Sequence, residues 1–233
     1  MGVTRRSVLG LGIAAAALPG LSRAAPATPA AFLGQSGEPQ TGRLVLGLLI
    51  ADDETALRQA VFDLRTKLSY RRVLRQRSTD RYKLAFARAL IDALAERSDT
   101  RFAAVAFDLP PWPKRGAARD RLVRAAFAEA LAGAPAGAAV TLVDNGDRAA
   151  IGTLVHALPS PPAVRVLRYG RIGDDDLLQV AALLTGLANP SRVRSRSTKG
   201  ELVVHLRLSL GVGEISARAL SRHPRFSVRS VKV

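Results

Sequence analysis

Cysteine is absent from the 233 residues. That excludes disulfides, a thiolate zinc site and a cysteine nucleophile. Histidine is scarce, with only His156, His205 and His223. Three scattered imidazoles make histidine-based metal or triad chemistry a poor expectation, and each reads as a surface or half-buried residue. Aromatic residues are 5% of the chain, with a single tryptophan, Trp112, in the loop "PPWPK". So few rings weaken any mode of binding that needs a row of stacking platforms. Acids are also short: 19 Asp plus Glu stand against 35 Lys plus Arg, for a formal charge of +16. No apolar run is long enough to span a bilayer, since the longest candidate, Val8 to Leu21, reaches only about half the required length.

What is present is the composition of an ordinary globular domain, 48% hydrophobic and 23% charged, large enough to bury one sizeable core. The basic excess favours polyanionic partners: nucleic acid, anionic lipid or acidic surface polymers. An arginine-rich, alanine-rich composition would also produce it with no functional meaning.

The opening "MGVTRRSVLGLGIAAAALPGLSRAAPATPA" reads as an export signal, Arg5-Arg6 preceding a weakly apolar Gly/Ala run with Arg23 behind it. The order Thr-Arg-Arg-Ser-Val-Leu resembles the twin-arginine motif. We therefore expect residues 1–27 to be a twin-arginine-type signal peptide, cleaved after Ala24 or Ala27, and the mature protein to be periplasmic or extracellular with no transmembrane segment. Loss of Arg5, Arg6 and Arg23 takes the formal charge from +16 to +13.

Past residue 28, strand and helix patterns alternate. "AAFLGQSGEPQTGRLVLGLLIA" reads as two apolar strands around a Gly/Ser/Pro turn. Asp52-Asp53-Glu54 then open a helix with Leu57, Val61, Leu64 and Leu68 on one face. A second helix is expected from about Asp80 to Arg97, with Tyr82, Phe86, Leu90 and Ala93 as its stripe. "RFAAVAFDLP" is a strand, Ala117 to Ala132 a helix ended by Gly133 and Pro135, and "AAVTLVD" a buried strand. "DRAAIGTLVHAL" reads as a short helix, "AVRVLRYG" as a strand, and Asp174 as the cap of a helix reaching Leu187. "ELVVHLRLSL" fits strand or helix equally, and "RFSVRSVKV" closes as a strand. The whole predicts an α/β domain, a mixed sheet covered by helices on both faces.

Three stretches, "FLGQSG", "YRRVLRQRSTDRYKLAFARALIDAL" and "DLLQVAALLTGLAN", resemble in order the three blocks of the domain of unknown function 3800 (DUF3800) family, over roughly residues 31–190. In that family the first block ends in Asp-Glu-Ser-Gly, the second contains Glu-Leu-Lys, and the third carries Gln-x-Ala-Asp. The resemblance implies a ribonuclease H-like domain over 28–233, with a mixed central sheet flanked by helices. It also implies an acidic centre, because such nucleases gather carboxylates around two divalent metals. The matching positions here are Gly34 and Gln35, Val73, and Ala182, none of them acidic. Asp144 remains as a strand-end acid, with Asp108 a weaker candidate. Arg71, Arg72 and Arg75 adjoin Val73, and at about 4 to 6 Å each would repel a cation by several kcal/mol. The resemblance thus implies a pseudoenzyme with no catalytic residues, no metal and no cofactor.

The basic run Arg65, Lys67, Arg71, Arg72, Arg75, Arg77, Arg81, Lys83 and Arg88 is the candidate polyanion-binding surface, with Tyr70 and Tyr82 available to stack. Arg192, Arg194 and Arg196 form a second patch. A solvated helix face accounts for the same run. Asp174-Asp175-Asp176 reads as a helix N-terminus rather than a metal site, and no Ser/His/Asp triad can be assembled. Three functions stay open: polyanion binding by an inactive exported domain, metal-dependent hydrolysis through Asp144 with Asp108 or Asp63, and a structural envelope role without a ligand.

Overall fold

A computed structural model describes residues 28–37, 43–74, 81–108, 117–143, 163–167, 172–189, 197–221 and 223–232. The expected export signal, "DRAAIGTLVHAL" and Trp112 lie outside them.

Among the described residues six strands make one sheet: β1 (Ala30–Ser36), β2 (Arg43–Ala51), β3 (Thr100–Asp108), β4 (Ala139–Val143), β5 (Ala163–Leu167) and β6 (Phe226–Lys232), in the spatial order β5-β4-β1-β2-β3-β6. β1 and β2 pair antiparallel from Ala30 opposite Ala51 to Ser36 opposite Val45. β2 pairs antiparallel with β3, while β1 with β4, β4 with β5, and β3 with β6 are parallel. Five strands therefore run one way and β2 alone opposes them, so the carboxyl ends of the five share one edge of the sheet.

The side chains alternate across the sheet as the period of two requires. Phe32, Val45, Leu49, Phe102 and Ala104 belong to the larger apolar cluster on one face. Leu33, Leu44, Leu46, Leu48 and Val105 belong to the smaller cluster on the other. The smaller face is covered by α3 (Ala117–Leu131), through Ala126, Ala130 and Leu131. The larger is covered by α1 (Glu54–Lys67), α2 (Arg81–Glu96), α4 (Asp176–Leu187) and α5 (Thr198–Leu210), with the short α6 (Ala217–Leu220) beside β6. Helices on both faces of a mixed sheet are what the alternating pattern predicts.

Local chemistry sets the helix ends. Asp53 caps α1 by accepting from the Ala56 amide at 2.9 Å. For α4 the cap is Asp175, one residue later than expected: its Oδ1 accepts from the amides of Leu177 and Leu178, while Asp174 sits in a preceding 3-10 turn. The ambiguous tail segment is the helix α5. Ser197 caps it by accepting from the Gly200 amide, and Leu202 and Leu206, four apart, go into the core. Strand and helix readings put the same leucines on one side, so the cap decides what periodicity cannot. On α2 the buried stripe is Lys83, Phe86, Ala87, Leu90 and Ile91, and Tyr82 is exposed. Phe86 and Leu90 are thus where the expected stripe put them, while Tyr82 faces solvent and Ala93 is half-buried. Among the described residues no helix is long and apolar enough to cross a membrane.

Candidate functional site

Of the positions singled out by the motif resemblance, Ala182 lies on α4, Gly34 packs against it and Val73 sits just before its start. Helix α4 is buried along nearly its whole length and lies over β1 and β2. Its close approach depends on two glycines that face each other across the hairpin, Gly34 and Gly47. A Cβ placed on Gly34 would stand 2.5 Å from the Ala181 carbonyl oxygen and 2.6 Å from Thr185 Oγ1. One placed on Gly47 would stand 2.5 Å from the same hydroxyl and from the Phe102 ring. Backbone occupies the space into which a side chain at position 34 would project. Thr185 turns its hydroxyl back to the Ala181 carbonyl at 2.6 Å, so this polar group is satisfied within the helix.

Ala182 lies in the same turn of α4 and is buried. Gln35 is exposed, on the strand's opposite face from Gly34. Val73 packs on Gly173 just before α4 and lines a cleft with Gln179, one helical turn ahead of Ala182. The lining of that cleft includes neither Gly34 nor Ala182. Asp144 lies outside the described residues. The strand that precedes it ends at Val143, one residue past the Leu142 that pairs with Leu33. Asp108 ends β3 at the same sheet edge, 3.6 Å from Arg43. The ends of β3 and β4 are separated by β2 and β1, three strand spacings or about 14 Å. Asp63 is on the solvent face of α1, accepting from Gln59 Nε2. Among the described residues no three His, Cys, Asp or Glu side chains gather closely enough to hold a metal ion.

The polar structure of this region is built on Arg65, near the end of α1. Its guanidinium makes two bonds to the Asp176 carboxylate, at 3.0 and 2.8 Å, and a third to Gln179 Oε1 at 3.1 Å. It also donates to the carbonyls of Tyr70 and Arg72. It lies over the rings of Tyr70 and Phe86, which are themselves stacked at 4.6 Å. Gln179, buried in α4, completes the link: its Oε1 accepts from the Leu74 amide at 2.7 Å while its Nε2 donates to the Gly173 carbonyl. Two turns earlier on α1, Arg58 bridges Glu54 and Asp175. Burial works against its charge, but the hydrogen bonds and charges of Asp175 and Glu54 outweigh burial and raise its pKa.

The chain leaves α1 in a tight turn. Tyr70 donates its amide to the Arg65 carbonyl and Ser69 donates to that of Thr66, the paired bonds of a Schellman motif. Ser69 holds a φ of +51°, where glycine is the usual occupant. The turn throws Arg71 and Arg72 outward, both exposed, above a cleft of about 740 Å³ between the end of α1 and the start of α4.

The basic run therefore divides. Arg65 is a half-buried structural tie, and Arg88 pairs with Glu201 on α5. Lys83 is 2% exposed, and burial lowers its pKa, so it is no part of a solvent-facing patch. Tyr70 is buried in its stack with Phe86 and is not available to a ligand. Arg71 and Arg72 are exposed at the cleft, whereas Arg75, Arg77, Arg192, Arg194 and Arg196 lie outside the described residues. Phe62, exposed at the cleft, and Gln179 beneath it were not among the expected residues. A buried glutamine amid leucines is the one sequence signal that pointed there.

One further constellation joins Asp92, His205 and Ser209. His205 Nε2 and Ser209 Oγ both meet the same oxygen, Asp92 Oδ1, at 2.9 and 2.7 Å. The serine donates to the acid and not to the imidazole, so this is a tie between α2 and α5 without the relay order a triad needs.

Fold and site together define an α/β protein with a mixed sheet, a glycine-lined seam under its central helix and an arginine-rimmed cleft at that helix's start. No protein-family model matches the chain, and no curated protein does.

Proposed function

We propose that this chain is an exported ribonuclease H-like domain, of the kind the DUF3800 resemblance implies, that has given up hydrolysis and acts by binding a polyanion. The observation that carries the reading is the seam at Gly34. Where the family's first block writes aspartate, this chain has a glycine packed against the backbone of α4, 2.5 Å from the Ala181 oxygen by its missing Cβ. The strand order, with β2 alone reversed among the six described strands, is compatible with such a fold. Export rests on Arg5-Arg6 and the weak apolar run behind them. The polyanion is favoured by the formal charge and by Arg71 and Arg72 standing exposed on a braced turn.

The test is a paired assay of the purified chain on labelled RNA and DNA with magnesium or manganese present. The expected result is no cleavage, together with binding that weakens steeply as salt rises and weakens further in Arg71→Ala/Arg72→Ala. Metal-dependent cleavage abolished by Asp144→Ala would replace this reading with an active hydrolase. Indifference to both nucleic acids and to other polyanions such as heparin would leave the structural envelope role.

A further inference from the structure

The two candidate cleavage points of the export segment, after Ala24 and after Ala27, are close in sequence but stand differently toward the fold. Both meet the requirement for small residues, Ser22 with Ala24 and Ala25 with Ala27. Sequence alone therefore gives no preference, and the start of the sheet separates them.

β1 begins at Ala30, and the residue before it is already tied into the sheet: the Pro29 carbonyl accepts from the Ala139 amide at 2.9 Å. Ala30 lies opposite Ala51 on one side and Ala139 on the other, so the strand is paired along both edges from its first residue. Ala30 and Ala31 are 1% and 0% exposed, whereas Thr28 is exposed. The boundary between accessible and buried chain thus falls at Pro29. Loosening Pro29 and Ala30 means prising a central strand from two neighbours and from α4 above it. Openings of that kind approach the cost of global unfolding.

A peptidase takes its substrate as an extended segment, with residues on both sides of the scissile bond, and cuts where the backbone is neither buried nor hydrogen-bonded. Cutting after Ala27 would draw Thr28, Pro29 and Ala30 into the enzyme, and the last two are held in the sheet. Only Thr28, about 3 Å of chain, separates that bond from the anchored proline. Cutting after Ala24 leaves Ala25, Pro26, Ala27 and Thr28 before the anchor, a reach of up to about 14 Å. We infer that the folded sheet shields the Ala27–Thr28 bond, so that export processing of this chain takes place between Ala24 and Ala25. The mature protein then carries the tether Ala-Pro-Ala-Thr in front of β1. The inference rests on the twin-arginine reading, because that route delivers an already folded chain to the peptidase; a chain threaded unfolded would present both bonds.

Expression of the full chain in a host with twin-arginine export, followed by intact mass and N-terminal sequencing of the processed product, tests it. The product should begin at Ala25. Ala24→Leu removes the small residue from the first site and leaves Ala25 and Ala27 in place, and it should lower the processed fraction by at least about tenfold. Adding Gly-Ser-Gly-Ser between Thr28 and Pro29 of that variant should restore processing, now after Ala27, because the added residues carry the second bond clear of the sheet. A product beginning at Thr28, or full processing of Ala24→Leu without the addition, overturns the shielding and spares the export reading. Failure of the added residues to restore cutting also overturns it, since the second bond would then be refused for its sequence. A parent chain that stays unprocessed in the cytoplasm, as Arg5→Lys/Arg6→Lys should, overturns both.

Discussion

The seam between β1 and α4 and the cleft at the start of α4 lie on the same helix, yet they are built by opposite means. In the seam, side chains have been removed: Gly34 and Gly47 let a helix backbone descend onto the sheet, and the one hydroxyl present is satisfied by its own helix. In the cleft, side chains have been added and tied together. Arg65, Asp176 and Gln179 form a network that spans 111 residues of sequence between its first two members and fixes the turn that carries the exposed arginines. A catalytic centre needs open space and several negative charges. The seam leaves no room for a side chain at position 34, and the one carboxylate lining the cleft, Asp176, is held by Arg65.

The sharpest way to break this comparison is to restore the acid that the motif resemblance implies. Gly34→Asp would push a side chain into the Ala181 carbonyl and leave a carboxylate without partners in an apolar seam. Overpacking and unpaired burial act together, so the loss of stability should reach at least about 4 kcal/mol. Urea denaturation measures it. No manganese-dependent nuclease activity should appear in whatever fraction stays folded. A stable Gly34→Asp variant that binds manganese would mean that α4 yields readily and that the seam is a displaced active site.

A second change acts on the cleft. Arg65→Met keeps much of the aliphatic bulk and removes five hydrogen bonds, including both to a partly buried carboxylate. Leaving Asp176 with only the bond from Gln179 Nε2 should cost about 2 kcal/mol, below the range for a fully buried pair because Asp176 is 37% exposed. The seam should be untouched. Amide exchange should therefore speed up at residues 69–74 while β1 and β2 keep their protection. Equal loosening of both regions would show that the two are one cooperative unit and not the separate constructions described above.

How far the sequence made these two regions legible follows from the range of the interactions. The strands and most helices could be read because their signals are local: the unbroken apolar run of "RLVLGLLIA", an aspartate ahead of α1, Gly133 and Pro135 after α3. The helix in "ELVVHLRLSL" could not, since a period of two and a period of four coincide on its leucines. The absence of acids at 34, 73 and 182 was readable, but its physical expression, a helix lying on two paired glycines, depends on a cross-strand register that periodicity does not disclose. The basic run misled in a specific way. Arg65, Arg71, Lys83 and Arg88 look alike in sequence, and partners on α4 and α5, more than a hundred residues away, decide that one is a tie, one a rim, one buried and one half of a surface pair.

The smallest expected effect lies away from both regions, at the entry to β3, and serves as a control for them. Arg97 and Thr100 both donate to the Asp99 carboxylate, and the bond from Arg97 outweighs partial burial to hold its pKa below the ordinary 3.8. A carboxyl depressed in the folded state contributes stability that is fully present above its unfolded pKa and is lost as pH falls through the folded value. Asp99→Asn should therefore cost a few tenths of a kcal/mol at neutral pH, a modest figure because the pair is partly open to solvent. The difference from the parent chain should shrink steadily below about pH 4 and vanish in stronger acid. Denaturant midpoints taken at pH 3 and pH 7 provide the readout. Since Asp99 touches neither the glycine seam nor the arginine rim, anion binding by the variant should match the parent at neutral pH. If binding changed, charge anywhere on the surface would suffice to alter it, and the braced turn above the cleft would lose its claim to be the place where the anion sits.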